Sequence, residues 1–131
     1  MAADAAPILT TRALNRALLA RQMLLERVAM PAEAAIETLI GLQSQIPGNP
    51  YTALWSRLEG FRPEEVSDLT AARKLVRIAL MRGTLHLVTV ADAVALRPVV
   101  QKVFERTMTP GSAYGRALAS VDRAELVAAG D

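Results

Sequence analysis

Apolar residues recur at helical spacing through the first half of the chain. Residues 9–28 predict one amphipathic helix, which Thr10 or Thr11 would cap. Its apolar stripe is predicted to consist of Leu14, Ala17, Leu18, Leu24, Leu25 and Val28. Pro31 suits the first turn of a second helix that runs to about Leu42. The buried side of this second helix is predicted to consist of Ile36, Leu39 and Ile40.

Two shorter helices are predicted after a loop. Residues 46–50 contain two prolines, a glycine and an asparagine, which favour a loop. Residues 51–58 predict a third helix, and residues 63–72 predict a fourth. The third helix is expected to point Leu54, Trp55 and Leu58 inward.

The period then changes from helical to alternating. Residues 75–80 and 84–89 predict the two strands of a β-hairpin, and Gly83 suits a turn position that needs positive φ. Thr89 and Asp92 have the spacing of a capping box, which marks the start of the next helix.

Three helices followed by a hairpin is the order of a winged helix-turn-helix, so we predict a mainly α fold with a β-hairpin. Residues 1–7 are expected to be a disordered tail, and residues 8–106 a first winged-helix domain that includes the helix after the hairpin. Pro98 is expected to kink or restart that helix. Residues 107–131 are expected to be a linker and the start of a truncated next domain, with Asp122 as a helix cap, so the chain would be the front part of a longer protein.

Composition excludes several classes of protein. The chain has 131 residues, 52% of them apolar, which is enough for a domain with a core. There is no Cys and one His, so we expect no disulfide, no zinc site and no cofactor. No apolar run approaches the roughly 18 residues of a membrane helix, and the start does not resemble a signal peptide. We therefore expect a cytoplasmic protein with no membrane partner. The net charge of +2 permits nucleic-acid binding without requiring it.

Residues 41–45 (GLQSQ) are the most informative segment, because they present two side-chain amides where the second helical pattern ends. An unpaired amide costs roughly 1–3 kcal/mol to bury. Gln43 and Gln45 are therefore either exposed side chains at a helix end or the components of a small polar site.

Four segments occur in an order that resembles one protein family: residues 11–16 (TRALNR), 41–45 (GLQSQ), 50–58 (PYTALWSRL) and 81–88 (MRGTLHLV). Together they resemble the N-terminal region of the AlkZ/YcaQ-like winged-helix DNA glycosylases, over about residues 8–128. The resemblance implies three tandem winged helices around a DNA channel and excision of alkylated purines, with unhooking of crosslinks in some members. It implies a catalytic Gln-x-Gln or Gln-x-Asp motif, which Gln43 and Gln45 match.

The resemblance also defines the expected partner and the rival functions. Double-stranded DNA, alkylated or crosslinked, is the implied partner, and association with the nucleoid follows from it. The chain is much shorter than family members, so the later winged-helix domains of a full-length protein are expected to be missing. A monofunctional glycosylase is the leading hypothesis. The alternatives are a non-enzymatic winged-helix DNA-binding protein, such as a transcription regulator, or an inactive truncated remnant.

Further candidate residues have two interpretations each. Six basic residues would contact DNA phosphates, or would be solvated surface cations: Arg12, Arg16, Arg73, Lys74, Arg77 and Arg82. His86 would contact a phosphate or the lesion pocket, or would be a half-buried hairpin residue bonded to the backbone. Tyr51 and Trp55 would stack on an extruded base, or would belong to the core.

Overall fold

A computed structural model of the chain describes residues 9–107, 109, 111–117 and 120–129. The helices in this part are α1 (Thr11–Arg21), α2 (Ala32–Thr38), α3 (Asn49–Trp55), α4 (Pro63–Ala71), α5 (Val90–Thr107), α6 (Ala113–Ala117) and α7 (Arg123–Ala128). The strands are β1 (Leu42–Gln43), β2 (Leu75–Ala79) and β3 (Leu85–Thr89). The predicted tail, residues 1–7, lies outside the described residues.

The predicted hairpin is confirmed. β2 pairs antiparallel with β3, from Leu75 opposite Thr89 to Ala79 opposite Leu85. A short 3-10 turn joins the strands, and Gly83 within it has a φ of +72°. β1, which the sequence pattern did not predict, pairs antiparallel with β3 and makes a sheet in the order β1-β3-β2.

Helices cover both faces of the sheet. One face packs against α2, α3 and α4, and its buried cluster consists of Ala32, Ala35, Ile36, Leu42, Leu54, Leu58, Val66, Leu75 and Leu87. The other face packs against α5, and its buried cluster consists of Leu80, Val88 and Ala93, with Val76, Ile78, Leu96 and Val100 around it. The strand alternation therefore buries residues on both sides of β3.

The order α2-β1-α3-α4-β2-β3 is that of a winged helix-turn-helix, with α1 before it and α5 after it. The predicted fold class, mainly helical with a β-hairpin, is confirmed. Among the described helices, none is long and apolar enough to cross a membrane.

Two helices end earlier than the sequence pattern predicts. The first ends at Arg21 and not at residue 28, and the second ends at Thr38 and not at Leu42. Met23 and Ile40 follow these ends with φ values of +53° and +56°. In each case the two amides after the cap bond back to the last turn, as in a Schellman motif.

Exposure corrects three further predictions. Trp55 was expected to point inward, but 58% of it is exposed, whereas Leu54 and Leu58 are buried as predicted. Ile40 was expected on the buried side of the second helix and is 51% exposed, because the chain has already left the helix there. The apolar stripe of α1 is likewise exposed, and α1 buries none of its residues.

The predicted caps are confirmed. The hydroxyl of Thr10 accepts a hydrogen bond from the amide of Ala13 at 3.2 Å at the start of α1. The hydroxyl of Thr89 accepts from the amide of Asp92 at 3.1 Å and donates to the Asp92 carboxylate at 2.8 Å, which starts α5. Asp122 caps α7 through the amide of Ala124 at 2.7 Å. Pro98 lies inside α5, which continues through it.

One partly buried arginine ties the segment after α1 to α3. Arg57 donates from Nε to the carbonyl of Gln22 at 2.8 Å and from Nη1 to the carbonyl of Ala53 at 2.9 Å. Desolvation by burial lowers the pKa of the Arg57 guanidinium. Val28 pairs with Leu58 in an isolated parallel bridge beside it, so this segment is held to the domain by backbone contacts.

Candidate functional site

The Gln-x-Gln motif begins on a strand at the edge of the sheet, because Gln43 is the last residue of β1 and Ser44 and Gln45 follow it. Successive side chains of a strand point to opposite faces, so Ser44, whose amide continues the pairing, points to the face opposite Gln43. Gln45 lies one residue beyond the paired segment. Gln43 and Gln45 are exposed, whereas Ser44 is 1% exposed. The sequence pattern placed these residues at the end of the second helix, but α2 ends at Thr38, and a short strand that contains Gln43 comes between the helix and Gln45.

Gly41 allows this strand to approach β3. A Cβ atom at Gly41 would lie 2.4 Å from Cγ1 of Val88 and 3.1 Å from the carbonyl oxygen of Leu87. Gly41 also has a φ of +96°, which side-chain-bearing residues rarely adopt. A residue without a side chain is therefore needed immediately before the motif.

Gln45 is anchored by its own side chain. Its Oε1 accepts a hydrogen bond from the amide of Leu85 at 3.2 Å. The amide of Ser44 donates to the carbonyl of Leu85 at 2.7 Å, which extends the pairing one residue beyond β1. A side-chain amide thus takes the place of a strand carbonyl as the partner of the Leu85 amide.

Arg77 holds the same segment from β2, across the width of the sheet. Its Nε donates to the carbonyl of Ser44 at 2.8 Å, and its Nη2 donates to the carbonyl of Gln45 at 3.3 Å. The sequence predicted a phosphate contact for Arg77. In the structure, two of its donor groups are engaged by the backbone of the Gln-x-Gln motif.

His86 lies directly opposite Gln43 in the pairing of β1 with β3. It is 7% exposed, and its Nδ1 lies 2.9 Å from the carbonyl oxygen of Thr84. This contact supports the interpretation of His86 as a hairpin residue bonded to the backbone. Because the neighbouring pair, Ser44 and Leu85, exchanges a hydrogen bond, Gln43 and His86 form a non-hydrogen-bonded pair, in which side chains lie closest. The sequence had not placed His86 beside a glutamine.

The other predicted cations do not form one cluster. Arg12 and Arg16 are exposed on α1, and Arg82 is exposed in the hairpin turn with a φ of +55°. Arg73 and Lys74 precede β2, whose five residues separate them from the turn by about 16 Å. Lys74 forms an exposed ion pair with Glu33 at 3.6 Å.

The charges on α4 argue against a DNA-reading role for this helix. In the winged-helix order, α4 occupies the position of the helix that would enter the major groove. Its nine residues include Glu64, Glu65 and Asp68 and no Lys or Arg. Phosphate binding requires cations, so α4 is not suited to lie between the phosphates of a groove.

The two aromatic candidates differ in their environments. Tyr51 is partly buried and packs against the core, which supports the core interpretation for this residue. Trp55 lies on the surface, and the guanidinium carbon of Arg27 lies 4.4 Å from its ring centroid. This geometry is a cation–π contact. Trp55 therefore remains accessible to a flat ligand, and Tyr51 does not.

Other site types find no support in the described residues. A cavity of about 310 Å³ is lined by Ala20, Met23, Leu25, Glu26 and Val28, and neither glutamine borders it. Within the described ranges, no group of three His, Asp or Glu side chains could hold a metal ion.

Comparison with known proteins places these features in a family. The model of the family described as AlkZ-like, DNA glycosylase AlkZ-like, matches residues 36–130, which include the motif, the hairpin and α5. The chain belongs to the AlkZ-like DNA glycosylase family. The AlkZ-like match begins after residues 11–16, so the first of the four resembling segments lies outside it.

A solved structure supports the same assignment. The Streptomyces sahachiroi DNA glycosylase AlkZ is 25% identical, and the match covers 80% of this chain with a TM-score of 0.67. The chain spans 28% of the length of that protein. No curated protein sequence matches the chain.

Proposed function

We propose that this chain carries the catalytic motif of a DNA glycosylase that releases N-alkylated purines from double-stranded DNA. The catalytic residues in this proposal are Gln43 and Gln45. The observation that supports it is that Gln43 is exposed at the end of an edge strand, and that Gln45 follows it in a segment whose carbonyls are held by Arg77. Family membership supports the reaction class.

The chemistry fits uncharged side chains. A purine alkylated at N7 or N3 carries a positive charge, so it leaves without help from a strong general acid. The enzyme then has to hold a water molecule next to the sugar carbon that carried the base as the glycosidic bond breaks. The carbonyl oxygen of a carboxamide can accept a hydrogen bond from that water. Gln43 is proposed for this role because it is exposed, whereas Gln45 already accepts from the Leu85 amide and keeps only one lone pair free.

DNA binding is proposed to use cations that are exposed and unattached to the motif. Four arginines meet this condition and are proposed to contact phosphates: Arg12, Arg16, Arg73 and Arg82. Lys74 is a weaker candidate because its ammonium group is paired with Glu33. Trp55 is the proposed stacking residue, since its ring is accessible. Phosphate contacts of this kind fix position and do not select sequence.

A second function is favoured by two observations. The chain spans 28% of the length of AlkZ, and Gln45 Oε1 is already used in the sheet. A non-enzymatic DNA-binding winged helix would have both properties. It would bind DNA without releasing a base, and its binding would not depend on the glutamines.

Incubation with a duplex that contains one N7-methylguanine distinguishes these functions, with abasic sites as the readout. We expect release by the parent chain and its loss in Gln43→Ala, whereas Gln22→Ala, which changes an exposed glutamine at the end of α1, keeps the parent rate. Unmodified purines should not be released. If the parent chain, Gln43→Ala and Gln22→Ala all bind the duplex with equal affinity and none of them releases a base, the result would support the non-enzymatic function and overturn the proposal.

A further inference from the structure

We infer that Arg77 is a positioning residue that sets the geometry of the Gln-x-Gln motif, and that it is not a phosphate contact. The inference rests on the proposed function for its catalytic consequence. Its structural part, the anchoring of residues 43–45, can be tested without any activity.

The contacts of Arg77 are those of a clamp. Nε and Nη2 bond two successive carbonyls, those of Ser44 and Gln45, at 2.8 and 3.3 Å. A planar guanidinium presents such donors in a fixed fork, and an ammonium group does not. Arg77 therefore fixes the orientation of two consecutive peptide groups, those on either side of Gln45. The direction of the Gln45 side chain follows from those groups, and the first of them lies one residue after Gln43.

The clamp is needed because β1 is so short. β1 has two residues at the edge of the sheet, and β3 is the only strand among the described residues that pairs with it. Beyond Gln43, the strand is held by the bond between the Ser44 amide and the Leu85 carbonyl. The Ser44 carbonyl would ordinarily bond the Leu85 amide, but that amide bonds Gln45 Oε1 instead. Arg77 supplies the partner that the Ser44 carbonyl would otherwise lack.

The same bonds make a phosphate contact by Arg77 costly. A phosphate would have to remove Nε or Nη2 from a backbone carbonyl, and the carbonyl of buried Ser44 would lose its partner. Arg82 and Arg73 lie on either side of Arg77 along the chain and are exposed, so the hairpin has other cations for phosphates.

The test replaces Arg77 with Lys, which keeps the charge and loses the fork. On the N7-methylguanine duplex, we expect Arg77→Lys to lower kcat about 10- to 100-fold, with KM and the salt dependence of DNA affinity unchanged. Arg62→Lys, an exposed arginine at the start of α4, is the matched control and should keep the parent kcat. A phosphate contact would give the opposite result: Lys would largely keep kcat, and Arg77→Met would weaken affinity and flatten its salt dependence.

Amide hydrogen exchange separates the inference from the proposed function. We expect the Leu85 amide to exchange at least tenfold faster in Arg77→Lys, with the Val76 and Val88 amides in the hairpin unchanged. If the parent chain releases no base, the proposed function fails, and faster exchange at Leu85 alone still supports the anchoring. Unchanged exchange at Leu85 in both Arg77 variants would overturn the inference, whatever the activity.

Discussion

Replacing Gly41 with Ala tests how tightly the motif strand is fitted against the hairpin. The new Cβ would lie 2.4 Å from Cγ1 of Val88, a fully buried side chain that cannot move aside freely. The alanine would also have to adopt the φ of +96° that Gly41 has. Both effects act on the residue two positions before Gln43, so a shift of the strand would move the proposed site as well.

The expected change in the free energy of unfolding combines two costs and one smaller offset. A left-handed backbone conformation costs a residue with a Cβ roughly 1–2 kcal/mol. Overpacking of a buried contact costs roughly 1–3 kcal/mol. Reduced freedom of the unfolded chain offsets about 0.4–1 kcal/mol. We therefore expect Gly41→Ala to lower the free energy of unfolding by about 3 kcal/mol, a large share of the roughly 5–15 kcal/mol typical of a domain.

Two other glycines serve as controls in urea denaturation. A Cβ at Gly83 would meet nothing within 4 Å but would share the positive φ, at +72°, so Gly83→Ala should cost only about 1 kcal/mol. Gly48 has a φ of −78° and equally open space, so Gly48→Ala should be neutral or slightly stabilising.

A double-mutant cycle with Val88→Ala isolates the contact. Removing Cγ1 eliminates the atom that the new Cβ would strike, so the two substitutions should cost less together than the sum of each alone, by roughly 1–3 kcal/mol. The reasoning is refuted if Gly41→Ala destabilises no more than Gly83→Ala, or if the two changes simply add.

Three further outcomes follow from the same structure. Gln45→Ala should lower the free energy of unfolding by about 1 kcal/mol because the Leu85 amide loses its partner, and Gln43→Ala should not; equal effects would contradict the asymmetry. Ile40→Gly should raise stability by about 0.5–1 kcal/mol by relieving a positive φ at a half-exposed site, and a loss in thermal unfolding would contradict it. Trp55, the only tryptophan in the sequence, should show solvent-exposed fluorescence and be quenched by acrylamide more strongly in Arg27→Ala; blue-shifted emission would contradict its placement.

The hairpin was predictable because its signals are local. Partial alternation and β-branched residues on each strand, and a glycine in the turn, are visible in the sequence. The helix caps Thr10, Thr89 and Asp122 were equally predictable, since a cap is a contact between residues at most three positions apart.

The helix ends were missed because the usual residue is absent. A Schellman motif normally places Gly at the position with positive φ, whereas Met23 and Ile40 occupy it after α1 and α2. An apolar residue there continues the helical pattern in the sequence although the helix has ended. The strand β1 was missed for a related reason, because two residues are too few to show a period.

The site itself depends on contacts that no local pattern encodes. Arg77 and Ser44 are 33 residues apart in sequence, and Leu85 and Gln45 are 40 residues apart. Arg77 could be found in the sequence as a basic residue of the hairpin, which favoured a phosphate contact. Only the pairing of β1 with β3 shows that its fork reaches backbone carbonyls instead.

The position of Arg77 also answers an electrostatic objection to the proposed function. A cationic base would be repelled by a guanidinium that faced it, by about 1 kcal/mol at 4 Å in water and by more where water is excluded. In the register of the sheet, however, Arg77 shares a face with Leu87 and Leu42, and Gln43 points from the opposite face. The guanidinium bonds the negative ends of two carbonyl dipoles, which offset part of its charge. The face from which Gln43 points therefore presents a neutral amide to a damaged base, while the guanidinium of Arg77 lies on the other face of the sheet.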